Sequence, residues 1–167
     1  MSSFAGRGKK TAWEIWNLYP EVTETFRALM EKPSISQVDV AMDTLERFTV
    51  LLYDKTSTKS HVDDARLELF ARKGRDVSNI PPTKGALLQH VRRAVYQAGL
   101  CWSQSLRADM NLPQPEGWGW TCSNNGTWEV VWNTLPEASE VFRNCCGVAA
   151  SDDAVPTASV EGSVSYL

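Results

Sequence analysis

Histidine is almost missing from this chain: His61 and His90 are the only two in 167 residues. Cysteine is scarce as well, and Cys101, Cys122, Cys145 and Cys146 follow no regular spacing. Those shortages exclude a compact zinc motif, which needs four N or S ligands at short intervals. They also exclude the disulfide framework of small secreted domains. The cysteines could hold a metal only if the fold closed Cys122 onto Cys145 and Cys146, and no metal or other cofactor is expected. Adjacent Cys145 and Cys146 are poorly placed to bond each other, so reduced thiols and an intracellular setting, nucleus or cytoplasm, are expected. No run approaches the ~18 apolar residues that cross a bilayer. The basic start is followed by no apolar stretch of a secretory signal, so no membrane partner is expected.

A general excess of basic charge is missing too. The net charge is −3, spread as +3 over residues 1–10, −3 over 11–60, +4 over 61–107 and −7 over 108–167. A strong nucleic-acid binder usually carries a domain-wide basic surplus, so any phosphate contact has to come from a local patch. Tryptophan, by contrast, is plentiful. Seven of them predict large aromatic anchors, either buried or waiting for a partner.

The chain is long enough for one domain with a real core, and apolar periodicity predicts about six helices. Thr11 with Glu14 has the spacing of a capping box and predicts a helix to about Leu18. Pro20 suits the first turn of a second helix, with Val22, Phe26 and Leu29 on one face. Ser36 is the expected cap of a third, whose inner face is Val38, Ala41, Met42, Leu45, Phe48, Thr49, Leu51 and Leu52. Ser60 and Asp63 predict the start of a fourth, with Val62, Ala65, Leu69 and Phe70 inward, closed by Gly74. "IPPT" at 80–83 reads as an extended connector, because each proline disfavours helix before it.

Thr83 then caps what the pattern predicts to be the longest helix, roughly 84–107. Its stripe is Leu87, Val91, Ala94, Val95, Ala98 and Trp102, with Arg92, Arg93 and Gln97 facing water. Asn125-Gly126 signals a tight turn in a Trp-rich hairpin near 118–132, with Trp128, Val130 and Trp132 on one face. That hairpin reads as a lid over the helices, or as a docking surface for another protein. A short last helix follows, capped by Thr134, and residues 149–167 read as a disordered tail. The expected organisation is a basic glycine turn over 1–10, an all-α domain with one hairpin over 11–148, and the tail.

Two carboxylate groups stand out. Asp39, Asp43 and Glu46 share one side of a helix, and Asp63, Asp64 and Glu68 cluster in another. Both sets alternate with basic residues, as solvated helix faces do. Phosphodiester cleavage with two metals needs several converging carboxylates, which this pattern does not supply, so catalysis is not expected of this chain alone. His90 and Cys101 lie about 16 Å apart along one helix and cannot share a proton. Two basic features remain. Gly6 and Gly8 lead into Lys9, Lys10 and Thr11 at a helix start, where backbone N–H groups form an anion site. Arg92 and Arg93, with Arg72, Lys73 and Arg75 before them and Tyr96 and Trp102 beside them, could present phosphate contacts with stacking.

"GRGKKTAWEI" resembles the second half of the helix-hairpin-helix element of flap-endonuclease-like nucleases, where Gly-x-Gly-Pro-Lys-x-Ala grips a DNA phosphate. Gly6, Gly8, Lys10 and Ala12 match, while Arg7 stands at an apolar plug position and Lys9 at the proline. "LERFTVLLYDKTS", "ARLELFARKGRDVSNIPPTKGALLQHVRRAVYQAG" and "GWGWT…TWEVVWNTLPEAS" resemble a much-multiplied, mobile-element-related family of animal proteins. In fuller members a flap-endonuclease (PIN)-like region precedes this helical part, and a tesmin-like cysteine-rich segment often follows. The resemblance covers roughly residues 4–146 and implies a truncated copy, without the upstream acidic residues or the cysteine array. It implies a non-catalytic intracellular helical accessory or interaction module, assisting nucleic-acid binding in a longer nuclease-like protein through Gly6, Gly8, Lys9, Lys10, Thr11, Arg92 and Arg93. The alternatives it leaves open are a nuclease fragment that itself binds nucleic acid, and a decayed copy without function.

Overall fold

The computed structural model describes residues 4, 6–71, 79–109 and 111–134. These fall within one compact unit, Met1–Leu135, and a second unit, Pro136–Leu167, lies outside the described residues. The expected last helix and the tail therefore lie outside them, as does Gly74.

The described chain is helical with one small hairpin, as the apolar pattern predicts. The order is α1 (Lys9–Leu18), α2 (Val22–Glu31), α3 (Ile35–Tyr53), α4 (Val62–Ala71) and α5 (Lys84–Val95). Strands β1 (Trp120–Cys122) and β2 (Trp128–Val130) follow and pair antiparallel, with Trp120 opposite Val130 and Cys122 opposite Trp128. α3 is the central element. Val38, Ala41, Met42, Leu45, Thr49, Leu51 and Leu52 are all buried along it, so its two sides meet α2 and α5 on one hand and α1 on the other. A smaller apolar cluster of Ile15, Leu51 and Leu52 fixes α1 to the end of α3. Full burial of an aliphatic side chain such as Ile15 is worth roughly 1.5–3 kcal/mol.

Several helix starts differ from the expected ones. α1 begins at Lys9 with Gly8 as its N-cap, so Thr11 lies inside the first turn and caps nothing. Ser34, not Ser36, caps α3, its Oγ accepting the Gln37 N–H at 3.1 Å. Ser34 stands at φ −148° and ψ 156°, the extended conformation of an N-cap, so the helix starts two residues before the expected place. α4 starts at Val62, and the Asp63 carboxylate in its first turn accepts the Lys84 N–H at 3.1 Å. Thr83 caps α5 as expected, from Oγ1 to the Ala86 N–H at 3.3 Å. Phe70 is exposed and does not face inward.

The longest helix is α3, not the one after Thr83. Winding past α5 continues as a π turn, Tyr96–Cys101, and a 3₁₀ turn, Trp102–Gln104. A π turn closes its bonds over five residues, so one additional residue enters the turn and everything beyond it rotates by roughly 100° relative to α-helical spacing. Trp102, in phase with Leu87 and Val91 on paper, is consequently 55% exposed. Tertiary packing accounts for the widened turn. Gly99 sits where a Cβ would be 3.0 Å from the Pro33 Cβ, and the Tyr96 hydroxyl donates to the Pro113 carbonyl at 2.7 Å.

The hairpin loop is built as its sequence predicts, with Gly126 at φ +81° and its N–H on the Ser123 carbonyl at 2.9 Å. Its tryptophans fall into two groups. Trp118 and Trp120 pack on the Tyr96 ring at 5.8 and 5.5 Å, closing that end of the core. Trp128 and Trp132 stay exposed.

Candidate functional site

The glycine turn before α1 is open on its outer side. Gly6 has φ +66°, and no atom lies within 4 Å of where a Cβ would stand at Gly6 or Gly8. Gly8 is extended, so α1 starts with no side chain over its first N–H groups and no acidic residue in its first turn. Lys9 and Lys10 are both exposed there, at the end where the helix dipole is positive. Arg7 turns the other way. Its guanidinium lies 4.6 Å over the Tyr53 ring and donates to the Asn79 Oδ1 at 3.3 Å, so it plugs the turn against α3.

Arg92 and Arg93 do not form a shared open face. Neighbours on a helix are about 100° apart, and each arginine serves a different element. Arg92 pairs with Asp39 of α3 at 3.2 Å. Arg93, expected to face water, is 93% buried beneath the hairpin. It donates to the carbonyls of Val131 at 2.6 Å and Gly119 at 3.3 Å, and its guanidinium lies 5.5 Å over the Trp132 ring. Burial pulls its pKa below the usual arginine value. Gly119, at φ +89°, is what lets the hairpin come this close, since a Cβ there would be 2.8 Å from the Arg93 Cγ. Arg72, Lys73 and Arg75 lie outside the described residues.

The carboxylates are also redistributed. Asp39 goes to Arg92, and His61 joins Asp43 and Glu46, with one ligand-type atom from each lying within 4.8 Å of the others. Glu46 is the centre of this group and is wholly buried. Its Oε2 accepts the Val62 N–H at 3.1 Å and lies 3.4 Å from the His61 Nδ1, while the Lys84 ammonium approaches Oε1 to 2.7 Å. The hydrogen bond and attraction to Glu46 hold the Lys84 pKa above its ordinary value. A cation entering here would have to displace that ammonium. The arrangement acts as a clamp joining α3 to the starts of α4 and α5.

A concavity that no sequence motif announces lies between α1, α2, α3 and α5. It measures about 410 Å³ and is lined almost entirely by apolar side chains. Phe4 closes one edge, stacked on His90 at 4.5 Å between ring centroids. Burial, and secondarily the nearby Arg93 charge, push the His90 pKa below 6.5. Cys101 is half-buried with its thiol pKa pushed up by burial, and neither it nor exposed Cys122 is in a disulfide.

No family model matches the sequence, and no curated protein or solved structure is significantly similar to it. Among the described residues, no helix is long and apolar enough to cross a membrane.

Proposed function

We propose that this domain is a non-catalytic intracellular accessory module that assists nucleic-acid binding in a longer nuclease-like protein. The observation that carries the reading is the uncovered start of α1, where the Gly6–Gly8 turn leaves N–H groups and two exposed lysines around open space. Such a helix start accepts a phosphate without rearrangement. The charged groups capable of chemistry are spent on structure: Glu46 on Lys84 and Val62, Asp39 on Arg92, Arg93 on two carbonyls. The phosphate site narrows to Gly6, Gly8, Lys9, Lys10 and the N–H groups around Thr11, while Arg92 and Arg93 hold the scaffold. The exposed Trp128 and Trp132 supply a separate surface for a protein partner.

Fluorescence anisotropy with a labelled duplex, across a salt series, tests this. Binding is expected to weaken steeply with salt. The Lys9→Ala/Lys10→Ala double variant should flatten the slope of log K against log salt by about 1.8, two phosphate contacts at roughly 0.9 each. Absence of binding at low salt, or an unchanged slope in the double variant, overturns the reading.

A further inference from the structure

The concavity between the helices has the size and chemistry of a ligand site. An engineered cavity of ~150 Å³ lined by Leu, Ile and Phe stays dry and takes up benzene. This one, at about 410 Å³, is more than twice that and falls in the ordinary range for small-molecule sites. Its aromatic wall is a ladder of edge-on rings: Trp16 meets Phe26 at 5.2 Å, and Phe26 meets Phe48 at 5.6 Å. Leu45 and Leu87, both buried, belong to its floor.

Three side chains in the lining carry polar atoms, and two are already engaged. The Trp16 Nε1 donates to the Thr23 Oγ1 at 2.7 Å, and the Thr49 hydroxyl donates to the Leu45 carbonyl at 2.7 Å. His90 is the third, and its polar contribution is one imidazole. Among the described residues, no acidic or basic side chain other than this histidine lines the space, so a charged guest would lose its hydration with nothing among them to replace it.

We propose that this cavity is a binding site for a small, uncharged aromatic molecule of about two fused rings that carries one hydrogen-bonding group directed at His90. The rings pack edge to face against Phe26 and Phe48, and the polar group meets the imidazole. The site is independent of the phosphate-binding reading, because it uses neither Lys9 nor Lys10.

Calorimetric titration of the full chain with naphthol, naphthalene and naphthoate tests the assignment. Naphthol is expected to bind saturably at one site and raise the unfolding temperature, with naphthoate at least tenfold weaker. Ala94 lines the cavity but is itself exposed, so Ala94→Trp should block naphthol and leave the helical spectrum and unfolding temperature of the free protein unchanged. His90→Phe keeps the stack on Phe4 and should weaken naphthol roughly three- to tenfold, the worth of one neutral hydrogen bond, while sparing naphthalene. No saturation, equal binding by Ala94→Trp, or equal affinity for naphthoate overturns the proposal. So does a dimer in sedimentation that naphthol dissociates, which would assign the cavity to a second copy of this chain.

Discussion

At its start α5 reaches back to α3 through a formal ion pair, Lys84 to Glu46, whereas near its end Arg93 holds the hairpin through uncharged partners, two carbonyls and the Trp132 ring. In the first case the negative charge is fully buried and the positive one half-exposed. In the second the cation is the buried partner, and its Nε has no partner among the described residues. The difference has a physical origin. A carboxylate has only acceptor oxygens and must find donors, which the N-terminus of α4 supplies in the Val62 N–H. A guanidinium carries five donors in a plane, so the carbonyls of Gly119 and Val131, which flank the hairpin strands, can serve it without any opposite charge. Both are fasteners between elements, but only the first depends on a charged partner.

The largest effect should come from removing the buried carboxylate. Glu46→Ala leaves a hole in α3 and strips the Val62 N–H of its acceptor, for an expected loss of about 2–4 kcal/mol in urea unfolding. Lys84 is half-exposed and can return to water, which keeps the loss from being larger. Glu46→Gln retains the shape and one acceptor oxygen and should cost distinctly less. If the two variants are equally damaging, charge rather than packing dominates that end, and the contrast with Arg93 sharpens.

At the other end the closeness of the backbone matters most. Gly119→Ala would put a methyl 2.8 Å from the Arg93 Cγ and 2.9 Å from the Gln89 carbonyl, at a φ that L-residues rarely adopt. It should cost about 1–3 kcal/mol. The loss should appear first as faster amide exchange in Trp120–Cys122, before α3 is affected. Simultaneous loss of protection in α3 would show that the hairpin is not a separate layer and break the comparison.

A good part of this was legible. The inner face of α3 follows a 3.6-residue apolar period for its whole length, and a stripe that long leaves little choice of partner surface. The cap at Thr83 was legible for the same local reason. Arg93 was not, because what buries it arrives from Gly119 and Val131, far along the chain, and helix periodicity cannot see a hairpin folding back. His61 joining Glu46 was hidden in the same way. At the candidate sites, the open glycine turn could be read from its residues, but the cavity could not, being the space left between stripes. The α3 cap lies two residues before the expected one, since Ser34 and Ser36 both satisfy the local rule and the sequence pattern does not separate them. Ser34→Ala is accordingly expected to cost about 1 kcal/mol in urea unfolding. Ser36→Ala, the smallest of these effects, should remain within about 0.5 kcal/mol in the same titrations.

The widened turn at Tyr96–Cys101 carries a consequence for how this chain can change in length. A helix that has already absorbed one surplus residue can give it back: a single deletion there would restore ordinary pitch without disturbing Lys84–Val95 upstream. The missing residue and the recovered pitch are each worth about 100° and cancel, so the segment beyond would keep its facing and Trp102 its place in solvent. This is therefore a point in the described chain where the loss of one codon can be absorbed without re-aiming the surface that follows.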